Sequence, residues 1–574
     1  MAIEVEQATG TKTIAELWRR AASREGTAYL VERDGEWEEI SWQDAAKAVD
    51  EIANGLLALG VSKGDAFGIL GRTKLEWVLF DFALGSIGAI GAGIYPSLPP
   101  KDCAYILDHS DAVGVLVEGD EQRAKIDAER ANLPKLRHLL DFEGLDDLRA
   151  RGRDHERTNP EALELARSAI GEDDLFTYIY TSGTTGPPKA CMISHRNYYS
   201  MVGAVDDVPQ FIGPDDLILL YLPLAHNFGR CMHLLAGYVG CSVAFCPDPV
   251  RVGDLAAQVK PTVLPSVPRV FEKVHTAVQT SFDEATGIKR KLIDWALRVG
   301  RRVSELKQAG RPVPAGLAVQ HRLADRLVYS KVKAKLGGRL RLPISGGAPL
   351  AKEIAEFFHM IDITICEGYG QTECTTASNV NMPTRYRFGT VGPAIPGIEV
   401  RTADDGEVIV RGPNLFGGYY KDEAATREVL DAEGWLHTGD VGSIEDGFLS
   451  ITDRKKDIIV TAGGKNVSPQ NIENELKASK YVSQALVIGD RRPFLTALIT
   501  LDEAAKGLSD AQSLIDEVVE EVNRDKASFE QVKRFTILPR DFSAEHDEVT
   551  PTLKLKRKVC AEHFASEIEA LYVR

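Results

Sequence analysis

From residue 13 to about residue 400 the chain alternates short apolar runs with amphipathic stretches, a pattern that few folds can accommodate. IAELWRRAASRE has helical spacing. TAYLVERDGEWEEISW reads as two strands turned at Asp34-Gly35. WQDAAKAVDEIANGLLALG places its apolar residues three and four apart and stops at Gly60, which predicts an amphipathic helix. AFGILG is a buried strand, and KLEWVLFDFALGSIGAIGAGIYP is a helix leading into another. Strands that are apolar on both faces need helices on both sides. The pattern therefore predicts an α/β fold, a large N-terminal domain of layered, largely parallel sheets covered by helices.

Past residue 400 the pattern shifts. Short alternating segments (EVIVRG, FLSITD, DIIVTAG, ALVIGD, LTALITL) are separated by polar turns, with helical SPQNIENELKAS and AQSLIDEVVEEVNR between them. This predicts a small α+β C-terminal domain. A chain of 574 residues exceeds one ordinary core. The division is expected at 1–452 and 453–574, with Asp453-Arg454-Lys455-Lys456-Asp457 as the joint; a solvated turn has the same composition.

No run of about 18 apolar residues is present, so no membrane span is expected. The N-terminus MAIEVEQATGTKT lacks a basic start followed by an apolar run, and a cytoplasmic protein is expected. The eight cysteines (Cys103, Cys191, Cys231, Cys241, Cys246, Cys366, Cys374 and Cys560) form no CxxC pair and read as reduced, buried thiols.

The formal net charge of −16 argues against a nucleic-acid partner. Residues 289–341, however, hold 15 Lys and Arg against three acids, a net of +12, which leaves −28 for the rest of the chain. Within 288–306, Ile288, Leu292, Trp295, Val299, Val303 and Leu306 form one apolar stripe beside a basic face. Such a helix can lie on an anionic membrane, and segment 288–341 is a candidate for peripheral contact at its inner face. An ordinary helix packed on the core with a solvated cationic face has the same pattern.

The segment with the most chemistry is Tyr180-Thr181-Ser182-Gly183-Thr184-Thr185-Gly186-Pro187-Pro188-Lys189, which follows the strand-like LFTYIY. Glycines let backbone N–H groups approach anionic oxygens, hydroxyls add donors, and the lysine adds a point charge. This is phosphate-loop chemistry without the Walker spacing.

The loop resembles the ATP-binding signature of the adenylate-forming (AMP-binding) superfamily, which includes acyl-CoA synthetases, luciferases and peptide-synthetase adenylation domains. Further segments resemble that family in its order. Tyr221-Leu222-Pro223-Leu224-Ala225-His226 resembles the segment near the acyl carboxylate, and Ser345-Gly346-Gly347-Ala348-Pro349 the adenine-side loop. Glu367-Gly368-Tyr369-Gly370-Gln371-Thr372-Glu373 resembles the segment that holds adenine, phosphate and magnesium. Trp435-Leu436-His437-Thr438-Gly439-Asp440 resembles the ribose segment, and Thr452-Asp453-Arg454-Lys455-Lys456-Asp457 the hinge. Gly463-Gly464-Lys465-Asn466-Val467 resembles the loop that swings toward the thiol acceptor. Pro551-Thr552-Leu553-Lys554 resembles the catalytic-lysine motif, with Leu553 where many relatives have glycine.

The resemblance implies an enzyme that uses ATP, Mg²⁺ and CoA. Thr184 and Glu373 are the implied Mg²⁺ ligands, hard oxygen donors suited to a hard cation. Asp440 and Arg454 are the implied ribose contacts, and Lys554 the cation for carboxylate and α-phosphate. His226 is either a group that orients the acyl carboxylate or gates its pocket, or a satisfied core histidine. The basic insertion and TDRKKDIIVTAGGKNVSPQNIENEL resemble the long-chain branch, which implies a long-chain fatty acid as substrate. A fatty acyl-AMP ligase that loads a carrier protein, and a non-catalytic fatty-acid-binding relative, share most of these motifs. Oligomeric state is open, a homodimer included.

Overall fold

The computed structural model describes residues 11–181, 187–543, 545–550 and 554–573. Two large sheets organise the first 400 residues. The six-stranded sheet runs 138–141, 114–117, 66–70, 90–94, 175–181, 189–194 across its width. It is parallel except for its last pair, where the strand Leu175–Thr181 turns back into Lys189–Ser194. The eight-stranded sheet runs 379–380, 366–369, 342–345, 263–266, 217–220, 242–245, 27–33, 36–41. It too is parallel, apart from the outermost pair at each edge. The expected layered α/β architecture is the observed one.

Helices fill the space between these sheets. In the helix Leu75–Ile87 every residue but Glu76 is buried, and its run of Trp77, Val78, Leu79, Phe80 and Phe82 leaves no polar face for water. The helix Asn227–Val239 lies in the same layer and is buried from Gly229 to Gly237. It carries one charge inside: Arg230, wholly buried, donates through Nε to Asp81 at 2.9 Å, and its other guanidinium nitrogens meet Asp81 and Thr177. An unpaired buried charge would be prohibitive, so this pair ties the helices Leu75–Ile87 and Asn227–Val239 to the strand Leu175–Thr181 as a unit. Burial pushes the Asp81 carboxyl up, and Arg230 opposes the shift.

A four-stranded antiparallel sheet (399–402, 407–411, 436–445, 448–454) follows. The C-terminal unit comes last. Its three-stranded sheet (482–488, 495–501, 532–537) carries the helices Pro469–Lys477 and Ala511–Asn523 over its own core of Ile472, Leu476, Val487, Ala497 and Ile515. The charged run 453–457 leaves the last strand of the four-stranded sheet and leads toward this unit.

The helix Gly287–Gln308 shows where the apolar stripe of residues 288–306 faces. Val299 is buried in a second core with Phe358 and Tyr329, Leu292 and Trp295 pack against it, and Val303 is buried as well. The stripe that suggested a membrane face is a core face, and only Ile288 at its start is exposed. Arg298, Arg301 and Arg302 are the solvated side. All eight cysteines are buried free thiols.

Candidate active site

In parallel sheets the strands end together, and the loops beyond their carboxyl ends make the natural crevice. Here the carboxyl edges of both large sheets face one cavity of about 2390 Å³. Strand Leu342–Ser345 delivers Gly346, Gly347 and Ala348 to its wall. Strand Cys366–Tyr369 contributes Glu367, Gly368 and Tyr369, then passes into Gly370, Gln371, Thr372 and Glu373. Strand Leu217–Leu220 leads to His226, and strand Leu175–Thr181 ends at Thr181, with Lys189 on the return strand. Ser182, Gly183, Thr184, Thr185 and Gly186 lie outside the described residues, as do Pro551, Thr552 and Leu553.

Close approach makes some of these positions glycine. A Cβ on Gly370 would lie 2.4 Å from the Ala377 Cα and the Thr376 carbonyl oxygen, so no other residue fits this crossing of backbones. The Ser345 hydroxyl is fully buried, lines the cavity and has no partner among the described residues. Such a group calls for a ligand or water to satisfy it.

One wall is polar and tightly bonded. The Tyr369 hydroxyl donates to Asp440 Oδ2 at 2.6 Å, and Arg454 Nε sits 3.3 Å from Asp440 Oδ1. The register of the four-stranded sheet creates the second contact, because Asp440 and Arg454 are cross-strand partners. Burial pushes the Asp440 carboxyl up, opposed by Arg454, Tyr369 and Lys554. Gln371 Nε2 donates to the Thr438 carbonyl at 3.4 Å and joins the two motif segments. Glu367 receives the Leu350 N–H at 3.0 Å, yet burial raises its carboxyl to about 7.

Glu373 accepts a 2.6 Å hydrogen bond from the Tyr419 hydroxyl at Oε1. Lys189 Nζ lies 5.0 Å above the same tyrosine ring and 3.7 Å from Asp422. Tyr419 thus links the lysine of the glycine-rich loop to the carboxylate of the 367–373 segment. Sequence reasoning missed it, since nothing periodic marks FGGYYKDE.

His226 caps the helix Asn227–Val239, its Nδ1 accepting the Phe228 N–H at 3.2 Å. Burial, reinforced by the Lys554 ammonium, pushes the imidazole down to about 4. The ring is therefore neutral near pH 7. With Nδ1 accepting, its proton sits on Nε2. The residue lines the cavity and also serves the helix as a cap.

Lys554 comes from the far end of the chain. It is solvent-accessible and lines the same cavity, held by two hydrogen bonds with Thr550: its N–H donates to the Thr550 hydroxyl at 3.1 Å and its carbonyl accepts the Thr550 N–H at 2.8 Å. Surrounding protein and Arg454 push its ammonium below the ordinary lysine value, against Asp440 and Glu373, which favour the charge. Gly463, Gly464 and Lys465 are not brought to the cavity. They form the turn between the strands Ile459–Val460 and Asn466–Val467, with Gly464 in the left-handed region (φ 72°) and Lys465 over the Phe529 ring.

A further part of the lining is apolar: Met201, Val205, Val208, Phe211, Met232 and Leu235, from the helices His195–Gly203 and Asn227–Val239 and the chain between them. The cavity thus joins a cationic, hydrogen-bonding wall to a greasy one. Among the described residues no cluster of three or more His, Cys, Asp or Glu could enclose a metal ion.

A cleft at the carboxyl edges of two parallel sheets, closed by a small C-terminal unit, is the architecture of adenylate-forming enzymes. An anthranilate–CoA ligase solved with anthranoyl-AMP matches it with a TM-score of 0.77 at 21% identity over 97% of this chain and 98% of that one, a likeness of fold. The chain belongs to the AMP-binding enzyme family: the family's main domain matches residues 17–420 and its C-terminal domain residues 456–574. It is 38% identical to the long-chain-fatty-acid–CoA ligase FadD15 of Mycobacterium bovis, over 94% of this chain and 93% of that protein. It is 31% identical to the human long-chain-fatty-acid–CoA ligase ACSBG2, over 98% and 92% respectively. The family expected from the motifs is the family found.

Proposed function

We propose that the protein ligates a long-chain fatty acid to CoA, first forming an acyl-AMP with release of pyrophosphate and then transferring the acyl group to the CoA thiol with release of AMP. The observation that carries the proposal is the convergence of Lys554, Arg454, Asp440, Glu373 and His226 on one cavity with an apolar wall. The relatives FadD15 and ACSBG2 support the choice of acid and acceptor. A carboxylate does not yield to a thiol directly, because oxide is a poor leaving group. Attack of the carboxylate on the α-phosphorus makes AMP the leaving group instead.

The chain's work in that step is electrostatic. Lys554 brings a cation between carboxylate and α-phosphate, Lys189 and the preceding loop meet the outer phosphates, and Asp440 accepts from the ribose hydroxyls beside Arg454. The His226 Nε2–H is a neutral donor for the acyl carboxylate. Glu373 and Thr184 would hold Mg²⁺. Glu373 Oε2 has no partner among the described residues, and one carboxylate together with phosphate oxygens suits this cation. When bound, the ion offsets triphosphate charge. Met201, Phe211 and Met232 suit an alkyl tail.

The second step needs a different arrangement. The division at 1–452 and 453–574, with Asp453 as hinge, allows the C-terminal domain to withdraw Lys554 and present Gly463-Gly464-Lys465 to CoA. Among the described residues no helix is long and apolar enough to cross a membrane. A cytoplasmic enzyme that touches the inner face of the membrane fits a substrate that partitions into lipid.

A pyrophosphate-release screen from acetate to oleate, with aryl acids alongside and with or without CoA, tests the proposal. The expected result is a preference for long acids and CoA-dependent AMP release. An aryl preference would overturn the fatty-acid assignment, and an adenylate that accumulates despite CoA would favour the acyl-AMP ligase reading.

A further inference from the structure

The helix Gly287–Gln308 spends its apolar stripe on the core, but the helix that packs back along it does not. The helix Ala315–Ala324 runs directly into the π-helical turn Asp325–Tyr329. Its inward side holds His321, Ala324, Val328 and Tyr329, all buried, with the Tyr329 hydroxyl bonded to the Ala296 carbonyl and His321 Nε2 3.3 Å from the Met360 carbonyl. Its outward side carries Val319, Leu323 and Leu327, which are 64%, 49% and 38% exposed and recur every fourth residue. Arg322 and Arg326 fall between them at three- and four-residue offsets, so all five share one face.

Exposed apolar residues at this spacing are a cost unless something covers them. The charges say what. Arg322 and Arg326 are exposed and pair with no carboxylate among the described residues; the same holds for Arg298, Arg301 and Arg302 on the neighbouring helix and for Lys331 and Lys335 just beyond. The face belongs to the segment with a net of +12, while the rest of the chain carries −28. A second copy would bring a like-charged face against it. An anionic bilayer presents opposite charge at headgroup depth and hydrocarbon just below, and it repels the rest of the chain, which sets the orientation.

We propose that the outward face of residues 315–329 docks on anionic membrane, with Val319, Leu323 and Leu327 entering the interface and Arg322 and Arg326 reaching lipid phosphate. The stems of the arginines pack beside the leucines while the guanidinium groups stay at headgroup level. The surface stands on this geometry alone. Its purpose, access to a lipid-borne acid, rests on the proposed function.

Co-sedimentation of the full chain with phosphatidylglycerol-containing and with pure phosphatidylcholine vesicles tests it. The wild type should partition onto the anionic vesicles at least about tenfold better, with the difference shrinking at high salt. The pairs Leu323→Asp/Leu327→Asp and Arg322→Glu/Arg326→Glu should each lower that partitioning by about tenfold or more, while pyrophosphate release with a short-chain acid in free solution stays at the wild-type rate and reports intact folding. Wild-type sedimentation of both double variants, equal binding to both vesicle types, or no binding to either would overturn docking. A dimer in size-exclusion chromatography that Leu323→Asp/Leu327→Asp dissolves would assign the face to a second copy instead. Vesicle binding without acid-dependent pyrophosphate release would leave the docking face standing and remove the function.

Discussion

Two glycine-bearing loops of this chain have the same kind of sequence and opposite positions. Gly346-Gly347-Ala348 follows a central strand of the large sheet and lines the cavity, whereas Gly463-Gly464-Lys465 turns a two-stranded ribbon of the C-terminal unit away from it. Lys554, also from the C-terminal unit, is inside. The difference teaches that one arrangement of the chain presents one set of C-terminal groups. In the proposed reaction the observed set serves adenylate formation, and transfer to the thiol calls for the other. Side-chain contacts across the seam between the units include ion pairs of Lys455 with Asp405 and Glu407. Arg269 donates to the Ser483 carbonyl at 3.0 Å and to its hydroxyl at 2.8 Å, and Asp283 pairs with Lys480. Asp453 receives the Ser468 hydroxyl at 2.8 Å and the Gln470 N–H at 3.1 Å, and so clasps the first turn of the helix Pro469–Lys477.

If the two loops serve different steps, mutations should separate them. The largest effect is expected for Lys554→Ala, with acid-dependent pyrophosphate release lowered on the order of 10²-fold or more, while transfer from preformed acyl-AMP to CoA is nearly unchanged. Equal loss in both assays would erase the contrast. Asp440→Ala removes a charged partner from the proposed ribose site, a loss of about 1.5–3 kcal/mol, and should raise the KM for ATP roughly tenfold or more. Gly464→Val forces a branched residue into φ 72° and should slow transfer from acyl-AMP by about tenfold, with pyrophosphate release spared; strain of this kind costs about 1–3 kcal/mol. The smallest effect is expected for Arg269→Ala. Loosening the observed arrangement should lower pyrophosphate release a few-fold, at a cost of about 1 kcal/mol.

The pH profile sharpens the same contrast. In the proposed step Lys554 acts as a cation, and its pKa lies below the ordinary 10.5. Pyrophosphate release should therefore fall as pH rises through that lowered value, at a less alkaline pH than for a free lysine. Transfer from acyl-AMP should lack that limb. His226 does not interfere, since it is neutral above about 4.

The alternating pattern and the ordered motifs made the layered fold and most of the cavity wall legible in the sequence. Asp440 and Arg454 could be nominated separately from their segments, but only strand register places them side by side. Asp81 interrupts an apolar run, but nothing local names Arg230, 149 positions away, as its partner, and nothing local pairs Tyr419 with Glu373, 46 positions away. The two basic helices give the clearest limit. Spacing shows that a helix has an apolar stripe, but not whether the stripe meets the core. The stripe of Val299 and Val303 is buried, while that of Val319, Leu323 and Leu327 faces out.

The central claim is that the protein activates a long-chain acid at the α-phosphate of ATP with Lys554 as the closing cation. The most direct measurement is oleate-dependent pyrophosphate release by the wild type and by Lys554→Ala, each with Mg²⁺ and ATP and without CoA. The account predicts release by the wild type that requires oleate, and a variant slower on the order of 10²-fold or more. Release that ignores oleate, or a variant as fast as the wild type, would contradict it.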